Sequence, residues 1–210
     1  MSQRDTILNK LRNVPSVAVH PPVISERLDV VSHQPDDLLS LFIAEAQKLK
    51  AVVTVVQSEQ DAITAILNTA GETQEYIGWD AKHIPIQGLH EALQKNGVKM
   101  LEPNTDTTLG ITGADAAIAA TGSLVLLSGA GKPRKASLTT YKHIGVIHES
   151  QIVFNLEAWF KQQQEKGLDS FRNTANVVVI SGASRTADIA MELVLGAHGP
   201  AELQIVIVAT

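Results

Sequence analysis

The stretch Asn176–Val208 reads NVVVI, then SGASRTADIAMELVLGAHGP, then AELQIVIV. Two β-branched apolar runs flank a segment whose spacing predicts a helix, so the tract reads as strand, helix, strand. That unit belongs to an α/β protein with parallel strands. The first junction, Ser181 to Thr186, puts small residues, hydroxyls and Arg185 where the strand would enter the helix. Backbone N–H groups and the positive helix end converge at such a junction, which favours an anion. Ligands in open α/β sheets sit outside the carboxyl ends of the strands, so a site is expected there.

The same alternation runs outward through the chain. Leu38, Leu39, Phe42, Ala46 and Leu49 return at helical spacing, predicting a helix over 36–50. Ala51–Val56 reads as a buried strand. Ser58 caps a helix over 62–69, and Gly71 stops it. Tyr76–Trp79 and Val98–Leu101 read as strands around a helix over 89–96 that Gly97 ends. Leu124–Leu127 and Gly145–Ile147 are further strands, and 152–163 mixes a short apolar run with a helix. The expected fold is therefore α/β, a largely parallel sheet flanked by helices, in one domain over 36–210. An arm over 1–35 precedes it, with a short amphipathic helix at Asp5–Leu11 and prolines at 15, 21 and 22. The tract 112–137 interrupts the alternation.

Composition narrows the function. A chain of 210 residues can bury a substantial core. A net charge of -5 and 4% aromatic residues argue against nucleic acid as a partner. Cysteine is absent, which excludes disulfides, a catalytic thiol and a cluster held by this chain's own thiolates. The first residues lack the apolar core of a secretory signal. The longest uncharged run, Ala116–Gly131, falls short of the roughly 20 apolar residues of a membrane span. A cytoplasmic protein with no membrane span is expected. The histidines show no metal-binding spacing and no GxSxG elbow occurs, so no metal and no serine hydrolase chemistry are expected.

Four segments can carry chemistry. In Gly110–Ser123, close main chain with Thr112, Gly113, Asp115, Thr121, Gly122 and Ser123 suits either a snug ligand pocket or tight core packing. In Lys132–Lys142, Arg134 is the better carboxylate ligand, because a guanidinium can make two parallel hydrogen bonds. Lys132, Lys135 and Lys142 read as solvated. In Ser181–Asp188, capping explains Ser184, Thr186 and Asp188. Arg185, a cation near a positive helix end, calls for an anionic partner, either a ligand or Asp115. In Gly196–Pro200, His198 is either a hydrogen-bonded loop residue or a general acid/base. A βαβ unit would place it at the opposite sheet edge from Ser184.

GITGADAAIAATGSLVLLS, TYKHIGVI and the pair ISGASRTADI and GAHGPAEL together resemble the LUD-domain family, and within it the lactate utilization protein C group. The resemblance is dense from about Leu109 onward. It implies a fold similar to the NagB/RpiA/CoA-transferase superfamily. It also implies a role in oxidising L-lactate to pyruvate beside iron–sulfur partner proteins, with no cofactor bound by this chain itself. Ala120 stands where the family often has an acid, Ala183 where it often has proline, and no counterpart of the CoA-transferase glutamate nucleophile is found. The leading expectation is a non-cluster subunit in which Arg134 and Arg185 clamp a small carboxylate, Thr112, Thr121 and Ser123 donate hydrogen bonds, and Asp115 orients an arginine. The alternatives are a stand-alone enzyme or sensor for a phosphorylated or CoA-linked metabolite, and a non-catalytic scaffold. A metabolite site of the expected kind requires Arg134, Thr121 and Ser184 to line one cavity.

Overall fold

The computed structural model describes residues 3–13, 35–187 and 193–209. Contacts divide the chain into 1–34 and 35–210. In the first unit, α1 (Gln3–Arg12) carries Asp5 in its first turn and Lys10 and Arg12 in its last, which complements the helix dipole.

The second unit starts with α2 (Leu38–Lys48), whose N-terminus is capped by Asp37 accepting from the Ser40 N–H at 2.9 Å. Then come β1 (Val52–Val56) and α3 (Glu59–Ala70). The α3 cap is Ser58, accepting from the Asp61 N–H at 3.1 Å. Gly71 ends the helix at φ 59°, a left-handed angle that suits glycine. β2 (Glu75–Gly78), α4 (Leu89–Lys95), β3 (Lys99–Met100) and β4 (Leu109–Gly113) follow. Next are β5 (Ala116–Ile118), β6 (Ser123–Ser128), α5 (Lys135–Leu138) and β7 (Lys142–His148). The remainder is β8 (Ile152–Val153), α6 (Leu156–Glu165), α7 (Asp169–Arg172), β9 (Asn176–Ile180), β10 (Arg185–Ala187), β11 (Leu193–Leu195) and β12 (Glu202–Val208).

Six strands form an all-parallel sheet in the order β1-β12-β7-β4-β2-β3. Its inner strands are buried on both faces, which is why β7 and β12 read as nearly unbroken apolar runs. From β1 through β2 to β3 the chain steps toward one edge. From β4 through β7 to β12 it steps toward the other. With right-handed crossovers, the two halves cover opposite faces. α3 packs on β1 and β12 and touches α4. α5 and a second sheet, in the order β8-β5-β6-β9, cover the other face.

That second face depends on missing side chains. Register places Gly110, Thr112, His143 and Gly145 together on it. A Cβ at Gly110 would lie 1.7 Å from the Ala136 carbonyl oxygen of α5, and one at Gly145 would lie 2.5 Å from Leu124 of β6. Between them His143 is fully buried, with Nε2 2.8 Å from Thr112 Oγ1 and no partner for Nδ1 among the described residues. Burial pushes its pKa down to about 4, so it stays neutral. The small sheet turns Leu124 and Leu126 to the main core. Its other side packs Val125 and Leu127 against Trp159, whose ring meets Phe171 at 5.4 Å.

Two expectations are corrected. Residues 185–187 and 193–195, expected within a helix, are strands. β10 and β11 pair antiparallel, Arg185 opposite Leu195 and Thr186 opposite Val194. The rest of that stretch, Asp188 included, lies outside the described residues. β9 pairs antiparallel with β6 in the small sheet, so β9 and β12 make no βαβ unit. Tertiary anchors override the helical spacing here. The Ser184 N–H donates to the Pro200 carbonyl at 2.8 Å, and the Arg185 guanidinium donates to the Leu49 carbonyl at 2.7 Å. The tract 112–137 does interrupt the strand–helix alternation, since β4, β5 and β6 follow one another with no α-helix between them. It completes β4, a central strand, and builds β5, β6 and α5.

Gly110→Ala is expected to destabilise the protein by about 1–3 kcal/mol through overpacking. Gly129→Ala, where the nearest contact is an ordinary 3.5 Å, changes little, and thermal melts compare the two. His143 predicts a pH effect. Its folded pKa lies below the unfolded 6.5, so the unfolded chain binds the extra proton and stability falls as pH drops below 6.5 toward 4. Urea titrations at pH 6.5 and 5 should differ by about 2 kcal/mol from this group, and His143→Gln should lose that difference.

Candidate functional site

β2 and β4 are neighbours whose following connections leave to opposite faces. The crevice outside their carboxyl ends is the switch point at which open α/β sheets bind ligands. Trp79, Asp80 and His83 follow β2, and Ala114 and Asp115 follow β4. The turn after β6 brings Lys132 to the same place. The Asp80 N–H donates to the Gly131 carbonyl at 2.8 Å, and Gly131 holds a left-handed φ of 74° where a Cβ would meet the Asp80 carboxylate.

The groups there are tightly tied. Lys132 Nζ donates to Asp115 Oδ1 at 2.6 Å and stands 4.7 Å above the Trp79 ring. Asp115 Oδ2 accepts the Leu127 N–H at 2.8 Å. The Lys132 side chain is only 17% exposed, so this pair works in a lower dielectric than a surface ion pair. Trp79 is braced from behind. The buried phenol of Tyr76, whose pKa burial raises, donates to His90 Nδ1 at 2.6 Å, which leaves His90 Nε2 to donate to the Trp79 carbonyl at 3.0 Å.

His83 meets Trp79 edge-on, with ring centroids 6.5 Å apart. Its Nε2 is shielded from solvent and has no hydrogen-bond partner among the described residues. Burial lowers its pKa, and the positive charges of Lys132 and Lys82 lower it further, against the pull of the Ala130 carbonyl and Asp80. A neutral imidazole with an unused nitrogen beside a half-enclosed ammonium can bind an anion that also carries a hydroxyl or a carbonyl group. No three His, Cys, Asp or Glu side chains gather as a metal site among the described residues.

The residues singled out in the sequence fall in three places. Thr112 and Gly113 lie buried in β4 beneath the crevice, and Asp115 is in it. Asp115 holds Lys132, not an arginine, so the expected partnership is corrected. The expectation that Lys132 is solvated is corrected too. Thr121, Gly122 and Ser123 form a turn against α2, where a Cβ on Gly122 would lie 2.2 Å from the Ala46 nitrogen. There Ser123 Oγ is 2.8 Å from Thr121 Oγ1 and 2.7 Å from Ser181 Oγ. Arg185 lies at the amino ends of β1, β12 and β7, lining a cleft of about 640 Å³ that contains neither Arg134, Thr121 nor Ser184. Arg134 is exposed at the start of α5, and Thr186 pairs with Val194. His198 is exposed. Its neighbours Gly199 and Pro200 lie against Ser184, so the two segments meet instead of occupying opposite edges. Sequence reasoning missed Trp79 and His83. Their one signal was position, Trp79 at the end of the strand expected at 76–79 and His83 just past it.

Because the positive charge of Lys132 lowers the His83 pKa, Lys132→Met should move the His83 titration midpoint upward, toward the ordinary histidine value. NMR titration of the ring protons reads this directly, and an unmoved midpoint would contradict it.

No described helix is long and apolar enough to cross a membrane. The LUD domain pattern matches residues 39–208. A Lactate utilization protein C from Halalkalibacterium halodurans is 29% identical over 219 residues, covering 95% of each chain. A protein of the same name from Exiguobacterium sp. is 30% identical over 82% of this chain and 67% of its own. A DUF162 family protein from Deinococcus radiodurans, solved by crystallography, shares the fold with a TM-score of 0.58 at 24% identity, over 81% of this chain and 96% of its own. The crevice at β2 and β4 therefore sits within the matched region, and the chain belongs to the LUD domain family.

Proposed function

We propose that this chain serves lactate utilization in the cytoplasm as a component that binds a small 2-hydroxy or 2-oxo carboxylate and leaves electron transfer to iron–sulfur partner proteins. The relatives named for lactate utilization support the pathway. The absence of cysteine supports the division of labour, since no side chain here can accept a hydride and a redox centre must come from elsewhere. The observation that carries the reading is the Lys132 ammonium held by Asp115 over the Trp79 ring, with His83 edge-on to the same ring and its Nε2 without a hydrogen-bond partner among the described residues. The carboxylate lies on Lys132, the hydroxyl or carbonyl oxygen faces His83, and Trp79 forms the apolar wall. Asp115 fixes Lys132 in place. With a hydroxyl substrate, neutral His83 takes the hydroxyl proton, while the second proton and the two electrons of the oxidation leave to a redox centre outside this chain.

Calorimetric or NMR titration of the purified chain with L-lactate and pyruvate tests this. A lost hydrogen bond to a charged group is worth about 1.5–3 kcal/mol, so Lys132→Met should weaken binding by roughly 10- to 100-fold. Equal affinity in wild type and Lys132→Met would overturn the proposal.

A further inference from the structure

The cleft at the opposite, amino edge of the sheet is built by segments far apart in the chain. Lys50 and Val52 open β1, Lys142 opens β7, and Glu202, Leu203 and Gln204 open β12. Ala183, Arg185 and Leu195 close it from the side of the β10–β11 ribbon. Three cations face one acid, in a chain whose net charge is -5. Lys142 is engaged, donating to the Thr69 carbonyl at 3.1 Å and lying 3.3 Å from Glu202. Arg185 is pinned by one nitrogen to the Leu49 carbonyl, which leaves the rest of its fork for a ligand. Val52 and Leu195, at 59% and 55% exposure, supply the main apolar surface, beside the polar side chains of Asn68, Thr69 and Gln204.

Lys50 adds a second, independent observation. It takes the residue position after the end of α2 at φ 65°, a left-handed angle that glycine adopts freely and lysine does not. A cation is thus kept at a backbone position where it is conformationally disfavoured, and its side chain lines the cleft. Strain of this kind concentrates at binding sites.

We infer that this cleft is a second ligand site, separate from the carboxyl-edge crevice, for an organic anion with an apolar body: its carboxylate or phosphate rests on Arg185 and Lys50, and its apolar part covers Val52 and Leu195. A volume of about 640 Å³ lies within the range of small-molecule sites and far exceeds what a three-carbon acid fills. The inference does not rest on the proposal for lactate.

Titration of the full chain with octanoate and with octyl phosphate tests it, with acetate and inorganic phosphate as head groups alone. At least one octyl compound should bind, at least tenfold tighter than its head group, and the stronger of the two identifies the head group. Lys50→Gly should weaken that binding at least fivefold while melting at the same or a higher temperature, because glycine relieves the left-handed angle. Val52→Glu, at an exposed position, should weaken it as well, and Lys132→Met should leave it unchanged. No binding of either octyl compound, or equal binding in Lys50→Gly and Val52→Glu, would overturn the inference. Loss of octyl binding only in Lys132→Met would assign the compounds to the carboxyl-edge crevice and overturn it too.

Discussion

The close approach of other layers to β4 and β7 is the constraint on which the architecture rests. Gly110 admits the main chain of α5 at a distance that no Cβ allows, and Gly145 makes room for the Leu124 side chain of the small sheet. Because those layers lie so low, the chain leaving β4 folds back at once through β5 and β6. That return delivers Lys132 to Asp115 and Trp79. The crevice is thus a by-product of how the second face is covered, and its chemistry comes from residues that packing had already placed. The buried pair of Thr112 and His143 fills the space between the two glycines. It carries the cost of a neutralised imidazole in the middle of the sheet.

Electrostatics divide the molecule along the strands. The chain is acidic as a whole, yet each end of the parallel sheet gathers cations in a sheltered place. At the carboxyl edge Lys132 is matched by Asp115 and an aromatic face, so the local field is balanced and a ligand must compete with an existing pair. At the amino edge Lys50 and Arg185 have no acidic partner in the cleft among the described residues, where Glu202 is paired with Lys142. The two edges suit different ligands for that reason: a compact polar acid at one, and a larger anion with an apolar body at the other.

Much of the frame was legible because it is set locally. Ser58 and Gly71 bound α3 through hydrogen bonds and backbone angles that involve only near neighbours. The β-branched run of β12 announces burial on both faces, whereas β1, expected to be buried as well, is an edge strand that leaves Val52 and Val55 exposed. What could not be read was set by distant contacts. β4 reads LGITG, a poor strand by propensity, yet its Gly110 answers to α5 and not to its own strand. The sequence from Arg185 to Leu195 fits helical spacing, yet Arg185–Ala187 and Leu193–Leu195 pair as strands, with Ser184 and Arg185 anchored to Pro200 and Leu49. Lys132 looked like one of several loop lysines because Asp115 is 17 residues away and Trp79 further still.

The position of β12 has a consequence for how the protein is made. It is the last of the strands along the chain, yet it lies between β1 and β7, pairing Val52 with Gln204 on one side and Lys142 with Glu202 on the other. Until it is synthesised, the first strand has no neighbour in the sheet and β7 shows an unpaired flank. The nascent chain must therefore hold a slot open, with valine and isoleucine lining both sides, for most of its translation. Such a slot is what a chaperone or another unpaired strand recognises. Closing it joins residues some 150 apart in sequence, so β1 joins the sheet late.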